Sequence, residues 1–196
     1  MPTIITHAVT GLAAGKLSFF KDLPARFWML SIICPMIPDF DVVLSRFGVP
    51  FKSFYAHRGF FHSLTFALII ALIVAFVFFK RQGYFTRRWN ALVLYFFIIT
   101  ASHPLLDMFT DGGPGIALLS PFTDERFFWP WRPIMVSPIG IRSFFSEWGW
   151  NTMISEMRLI WLPLSVIIIL AVLIHRIVQK KQRAYQSETP AADSRE

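Results

Sequence analysis

The sequence predicts an all-α integral membrane protein built as a bundle of about five membrane-embedded helical segments. Of its 196 residues, 55% are hydrophobic and 16% are charged, whereas a soluble domain has roughly 45–50% apolar and about 25% charged residues. Two apolar runs, at residues 64–79 and 157–178, are typical of transmembrane helices. Basic residues cluster beside the apolar segments, as the positive-inside rule requires.

The composition also excludes several classes of protein. A formal charge of +7 would suit a nucleic-acid-binding protein, but positive-inside topology explains the clustered basic residues better, so we expect no nucleic-acid partner. The single Cys34 excludes an internal disulfide and a cysteine-based zinc site. Residues 1–6 lack the basic start of a signal peptide, so we expect the mature helices to direct insertion.

The first apolar segment covers residues 4–20 and carries His7 near its start. Gly11 and Gly15 follow on one face, where small residues let a second helix approach closely. Helix packing is the favoured interpretation of these glycines.

The second segment, residues 27–37, is apolar but short and leads into Pro38-Asp39-Phe40-Asp41. At about 1.5 Å per residue it is too short to cross a hydrocarbon core of roughly 30 Å, so we expect it to end inside the protein. Two carboxylates one residue apart repel each other unless a cation lies between them. On a surface loop, Asp39 and Asp41 would indicate a solvated turn. Because these residues follow a membrane segment, where charges are costly, a role as metal ligands is favoured.

The next polar stretch ends in His57-Arg58-Gly59-Phe60-Phe61-His62. On one regular helix His57 and His62 would diverge by about 140°, but a loop-to-helix junction at Gly59 can bring them together. Two histidines around an arginine favour a metal or phosphate site over a structural role. Arg58 can bind phosphate through its planar fork, or it can be an interfacial arginine with no such role.

The third segment, residues 64–79, leads into a short loop with four basic residues between positions 80 and 88, which places that loop in the cytoplasm. The fourth segment, residues 90–108, returns across the membrane and ends with His103 and Asp107. Residues at positions i and i+4 share one face of a helix, so this pair can contact the same ion.

Residues 109–156 form a polar, aromatic region that is predicted to be a loop rather than a span. The fifth segment, residues 157–178, is followed by basic residues that place its end in the cytoplasm. We expect residues 1–180 to form a single domain and residues 181–196 to be a polar, disordered cytoplasmic tail.

This topology brings four of the five histidines to the outer side of the membrane. With the neighbouring carboxylates they predict a metal site at the outer face, with the ligands His7, Asp39, Asp41, His57, His62, His103 and Asp107. Histidine and carboxylate ligands without cysteine favour zinc, with manganese and iron as alternatives. The set exceeds the three protein ligands of a typical catalytic zinc, so two ions are expected.

These motifs, in this order, resemble the YdjM-like (LexA-regulated) membrane-bound metal-dependent hydrolase family of bacterial inner-membrane proteins. The resemblance covers about residues 3–160 and is carried by Thr6-His7-Ala8, Pro38-Asp39-Phe40-Asp41, His57 to Leu64 and Ser102 to Asp107. It implies a multi-pass inner-membrane protein with a hydrolase site, in which Arg58, Asp39 and Asp107 are the candidate catalytic residues. The family is distantly similar to zinc-dependent phospholipase C, a similarity that makes Glu156 a candidate extra metal ligand.

Three functions follow from these observations. The first is a hydrolase that cleaves an ester or phosphoester of a membrane lipid or lipid-linked substrate by metal-activated water. The second is a metal transporter or sensor, although the apolar third and fifth segments offer few polar groups for a transport path. The third is a structural scaffold. The sequence leaves open the substrate, the metal and the oligomeric state, as well as whether Arg132, Arg142 or Glu147 joins the site.

Overall fold

The protein is described by a computed structural model covering residues 1–20, 23–50 and 53–188. These residues are mostly helical, and they contain no strand beyond two isolated bridges, Thr110 with Ile134 and Ile116 with Phe127. The prediction of an all-α chain is therefore confirmed. The α-helices within these ranges are α1 (Ile4–Leu17), α2 (Ala25–Ile33), α3 (Val42–Arg46), α4 (Leu64–Phe78), α5 (Arg87–Asp107), α6 (Ile141–Phe144), α7 (Glu147–Glu156) and α8 (Leu162–Glu188).

Three helical stretches of the described chain are long and apolar enough to cross a membrane: Ala25–Leu44, Arg87–Asp107 and Glu147–Gln182. Two shorter apolar helices, α1 and α4, accompany them. Together these stretches correspond to the five apolar segments that the sequence predicts. Almost none of the most apolar 18-residue part of Glu147–Gln182 is buried within the chain, which is consistent with a lipid bilayer environment.

The second segment is longer than the sequence predicts. After α2 the chain continues through a 3₁₀ helix, Cys34–Asp41, into α3, so that Ala25–Leu44 forms one helical stretch of 20 residues. The prediction that this segment is too short to cross was wrong because it took the prolines as a helix end. Pro35 lies in the first turn of the 3₁₀ helix, where the missing N–H group costs little.

The C-terminal helix also exceeds its predicted limits. A π-helical turn, Met157–Trp161, joins α7 to α8, so the helix begins at Glu147 within the predicted loop. It continues to Glu188, and residues 181–188 are therefore helical where the sequence analysis expected a disordered tail. The rest of that predicted tail, residues 189–196, lies outside the described residues.

Aromatic and aliphatic side chains of α2, α4 and α5 form the apolar core: Phe27, Cys34, Ala71, Val74, Phe79, Leu92, Phe96 and Ile99. α1 packs against α2 through its glycines, because a Cβ at Gly11 would overlap the carbonyl oxygen of Ser31 and one at Gly15 would press on Trp28. This close approach agrees with the packing interpretation of the two glycines. It also fixes α1, and with it His7, beside the rest of the bundle.

Candidate metal centre

Four parts of the chain bring buried histidines and carboxylates to one place. α1 contributes one histidine, the 3₁₀ helix two aspartates, the segment before α4 two histidines, and α5 a histidine and an aspartate. Their exposure ranges from 0 to 8%: His7, Asp39, Asp41, His57, His62, His103 and Asp107. All seven residues predicted as ligands from the motifs are thus close to at least one other member of the set.

Four of these side chains converge around one point. His62 Nε2 lies 3.0 Å from His103 Nε2 and 3.7 Å from Asp39 Oδ1. Asp107 Oδ2 lies 3.5 Å from His62 Nε2 and 3.8 Å from His103 Nε2, and Asp39 Oδ1 lies 3.5 Å from His103 Nε2. Tetrahedral ligands at about 2.0–2.1 Å from an ion are about 3.3 Å apart, so these separations suit one bound ion.

His7 extends the cluster on one side. Its Nε2 atom lies 3.4 Å from Asp107 Oδ1, and its ring stacks on that of His103 with the centroids 3.8 Å apart. One ligand atom from each of these three residues lies within 4.8 Å of the others. Asp107 turns Oδ1 toward His7 and Oδ2 toward His62, so it offers one carboxylate oxygen to each side of the cluster.

A second triad lies on the other side of the cluster. Asp39, His57 and His62 also each offer a ligand atom within 4.8 Å of the others. The described residues therefore contain two buried groups that could each hold a metal ion.

Asp41 orients two histidines. His57 Nδ1 lies 2.7 Å from Asp41 Oδ1, and His62 Nδ1 lies 3.0 Å from Asp41 Oδ2. The backbone N–H of Arg58 also donates to Asp41 Oδ2, at 3.2 Å. A carboxylate that receives Nδ1–H leaves Nε2 free to bind a metal, so Asp41 supports His57 through a hydrogen bond and lies within ion-pair distance of His62.

The backbone fixes the tautomer of His103. Its Nδ1 atom lies 2.8 Å from the carbonyl oxygen of Pro35, which can only accept a hydrogen bond. Nδ1 must therefore carry the proton, and Nε2 presents a lone pair to the cluster. The proline-rich 3₁₀ helix thus orients one histidine ligand while it supplies the aspartates.

Seven polar atoms of the cluster have no hydrogen-bond partner within the described chain: both ring nitrogens of His7, Nδ1 of His62, both oxygens of Asp39 and both oxygens of Asp107. Leaving a buried polar group unsatisfied costs about 1–3 kcal/mol, and more when it is charged. A divalent cation would satisfy the carboxylates and bind the imidazoles, so the residues present fit such an ion. The donor set suits zinc, manganese or iron and does not choose among them.

The charge on His62 depends on two opposing effects. Burial disfavours the charged imidazolium, but the neighbouring carboxylates of Asp39 and Asp41 outweigh it and raise the pKa of His62 to about 9. In the metal-free cluster this proton partly neutralises the carboxylates. A bound cation would replace it, since a metal ligand must be deprotonated.

Arg58 is buried and its guanidinium is engaged by the chain. It donates to the carbonyl oxygen of Gly112 at 2.7 Å and to Thr110 Oγ1 at 3.1 Å. Its backbone has φ = 65°, which turns the chain between the two histidines. Burial lowers the pKa of Arg58, and the carboxylates of Asp107 and Asp39 oppose that effect. This burial excludes the alternative of a solvent-exposed interfacial arginine.

Glu156 faces α1 instead of the histidines. Its Oε1 atom accepts from the backbone N–H of Thr3 at 2.6 Å, and Oε2 accepts from the hydroxyls of Thr3 and Thr6. Trp161 Nε1 donates to the same Thr6 hydroxyl at 2.8 Å. Glu156 therefore ties the start of the C-terminal helix to the start of α1, next to His7.

Sequence reasoning missed the residues that support the ligands. Thr3 and Thr6 bind Glu156, and Thr110 donates to the carbonyl oxygen of Asp107 at 2.7 Å. Thr6, directly before His7, was the only one of them inside a recognised motif. The three undecided residues, Arg132, Arg142 and Glu147, are exposed, and the Arg132 guanidinium lies 4.6 Å from the centroid of the Phe128 ring.

Comparisons with known proteins agree with this architecture. The family model of the YdjM inner membrane protein matches residues 1–183. Inner membrane protein YbcI of Escherichia coli (strain K12) is 39% identical over 168 residues, which cover 83% of this chain and 92% of that protein. No solved structure matches the chain. These relatives and the apolar helices support an inner-membrane location, and the chain belongs to the YdjM inner membrane protein family.

Proposed function

We propose that this chain is a membrane-bound metal-dependent hydrolase that cleaves an ester or phosphoester of a membrane lipid or lipid-linked substrate. The observation that carries the proposal is the convergence of imidazole and carboxylate atoms of His62, His103, Asp39 and Asp107, with contacts of 3.0–3.8 Å among them. Buried carboxylates without hydrogen-bond partners are costly, which favours a functional role for the cluster.

In this proposal the residues of the cluster have different roles in metal binding and proton transfer. His62, His103 and Asp107 would hold one ion, and His7 with Asp107 would help to hold a second. A divalent ion in such a site acts as a Lewis acid, which lowers the pKa of a water molecule and polarises the bond to be cleaved. Asp39 accepts a proton as the water oxygen attacks the ester. It returns the proton to the oxygen of the departing alcohol as the ester bond breaks.

The charge of Arg58 completes the proposed site. Because its guanidinium is held by Gly112 and Thr110, it acts as a fixed positive charge near Asp107 and Asp39. A fixed charge needs no rearrangement when negative charge develops in the transition state. Its bonds to Thr110 also steady the turn that follows Asp107.

The proposed orientation places the site at the periplasmic face of a single domain, residues 1–180. The basic loop between α4 and α5 and the basic end of α8 would then lie in the cytoplasm, as the positive-inside rule requires. The cluster would face the outer leaflet, where a membrane lipid can reach it.

Metal analysis and hydrolysis of a substrate panel test the proposal together. Purified wild-type protein should contain stoichiometric zinc, manganese or iron and cleave lipid esters or phosphoesters. His103→Ala and Asp107→Ala should lose both the metal and the activity. His175→Ala is the matched control, because that exposed histidine lies on α8 and contacts Gln179. A fully metallated protein that cleaves nothing across a broad panel would contradict the proposal and favour a non-catalytic metal-binding protein.

A further inference from the structure

A cavity of about 360 Å³ lies beside the cluster, between the start of α1, the 3₁₀ helix and the segment that leads into α6. Its walls are almost entirely apolar and include Ile4, Ile5, Val42, Ile139 and Phe144. Its volume is within the range of small-molecule sites, about 300–1,000 Å³. The cavity can therefore hold an apolar group of modest size.

Asp39 connects this cavity to the metal centre. It is one of the lining residues, it is 8% exposed, and neither of its carboxylate oxygens has a hydrogen-bond partner in the described chain. Its Oδ1 atom lies 3.5 Å from His103 Nε2. A molecule in the cavity would therefore have one end against the cluster and the rest against aliphatic and aromatic side chains.

The rim of the cavity is apolar as well. Ile141 and Phe145 line it and are 82% and 81% exposed. Gly140, with φ = 103°, turns the chain between Ile139 and α6 so that these side chains surround the opening. Large exposed apolar side chains around an opening indicate contact with lipid or with an apolar ligand. The opening can thus receive a molecule directly from the bilayer.

The ionisable groups that line the cavity indicate which kind of ligand it can bind. The described lining includes no Lys, Arg or His side chain; its ionisable groups are the Asp39 carboxylate and the N-terminal amine of Met1, whose pKa burial lowers to about 6. Arg58, the nearby buried cation, is held by Gly112 and Thr110. The apolar walls offer no partner for a charged headgroup inside the cavity, whereas they suit an uncharged hydrocarbon chain.

We infer that this cavity binds a single hydrocarbon chain of the substrate and holds the bond to be cleaved beside Asp39. The inference rests on the proposed hydrolase function and narrows it to substrates whose chain is joined directly to the scissile group. Either an acyl ester or an alkyl phosphoester has such a chain. Substrates in which a polar spacer separates the chain from the scissile bond would fit poorly.

Photoaffinity labelling tests the location of the chain without relying on activity. The probe is a long-chain alkyl hydroxamate with a terminal diazirine, added to metal-loaded protein in nanodiscs, since a hydroxamate binds metal and its chain would enter the cavity. We expect labelling of Ile4 and Ile5 and of residues 139–145, and its loss when a chelator is added. Labels spread over the lipid-facing sides of α4 and α8, unchanged by the chelator, would overturn the inference.

A matched pair of variants tests the same point by steric exclusion. Ile5→Trp would fill the cavity, whereas Leu12→Trp adds the same side chain to the same helix at a position that does not line it. Because the indole would occupy the space of the chain, Ile5→Trp should weaken binding of the long-chain hydroxamate about tenfold, which is equivalent to about 1.4 kcal/mol. Acetohydroxamate, which has no chain, should bind both variants like the wild type. Equal long-chain binding by both variants would contradict the inference.

Failure of the inference and failure of the proposed function give different results. The protein could still contain metal and bind acetohydroxamate while the long-chain probe labels other residues. That result would contradict the chain-binding site and leave the hydrolase proposal intact. A wild-type protein without metal would overturn both. Hydrolysis of long-chain acyl esters and of long-chain alkyl phosphoesters by the wild type and Ile5→Trp distinguishes the two possible sources of the chain. The class that the cavity binds should show a higher KM in Ile5→Trp than in the wild type.

Discussion

Asp41 contacts the Nδ1 atoms of His57 and His62 at 2.7 and 3.0 Å. Asp41→Asn keeps the size of the side chain but replaces one accepting oxygen with an amide that donates. One imidazole then loses the acceptor that fixes its tautomer. Loss of such support costs about 10–100-fold in metal affinity, and we expect a loss of that size in a competitive metal titration.

A matched control for this prediction is Asp111→Asn. The Asp111 carboxylate accepts from the backbone N–H of Val136 at 2.8 Å, in the polar region after α5 and outside the histidine cluster. Metal affinity should be unchanged in this variant. Equal affinities for wild type and Asp41→Asn would show that Asp41 does not orient the histidines.

Glu156 has a structural role, because it accepts hydrogen bonds from Thr3 and Thr6. Glu156→Gln places an amide against the Thr3 and Thr6 donors that now share the carboxylate, so at least one buried donor loses its acceptor. The expected cost is about 1–3 kcal/mol of stability. We expect a lower Tm in detergent, with metal bound at the wild-type stoichiometry. Loss of metal at an unchanged Tm would instead identify Glu156 as a direct ligand.

Gly11 controls the approach of α1 to α2. A Cβ at this position would overlap the backbone carbonyl of Ser31, which cannot rotate away as a side chain could. Gly11→Ala should therefore push α1 outward and shift His7 away from Asp107. We expect a lower Tm and weaker metal binding, both measured in detergent. Leu12→Ala, on the exposed side of the same helix, should change the metal affinity little, and similar losses in both variants would contradict the packing argument.

Local sequence patterns predict some of the contacts in the site but not others. The i, i+4 spacing of His103 and Asp107 predicts a shared helix face, and the structure places both beside His62. The separate roles of Asp39 and Asp41 could not be predicted. They depend on the 3₁₀ geometry through Pro35 and Pro38, which turns one carboxylate to the cluster and the other to imidazole Nδ1 atoms.

Long-range contacts set the remaining limits of sequence reasoning. Apolar runs indicate where membrane helices lie, but helical hydrogen bonding extends them beyond residues that a composition argument treats as boundaries, as at Glu147 and Gln182. The bond from Glu156 to Thr3 joins residues 153 positions apart, and no local pattern indicates it. Arg58 similarly reaches Gly112 across 54 positions.

For the whole molecule, the cluster joins α1, the 3₁₀ helix, the segment before α4, and α5 through buried atoms that lack partners. An ion that binds these elements in the folded state and not in the unfolded state stabilises the fold by about 2.7 kcal/mol at 100 times its Kd. Removal of metal by a chelator should therefore lower the Tm by several degrees, and stoichiometric zinc should restore it. Thermal unfolding in detergent with and without chelator measures the effect.

His103→Ala separates this linkage from general effects of the chelator. That variant lacks one of the four converging ligand atoms, so its Tm should already be low and should respond little to chelator or to added zinc. His175→Ala should respond as the wild type does, because its histidine lies apart from the cluster. If chelator lowers the Tm of His103→Ala as much as that of the wild type, the stabilising ion binds elsewhere. The junction of these four parts of the chain would then owe its stability to packing, and the unsatisfied carboxylates of Asp39 and Asp107 would need another partner.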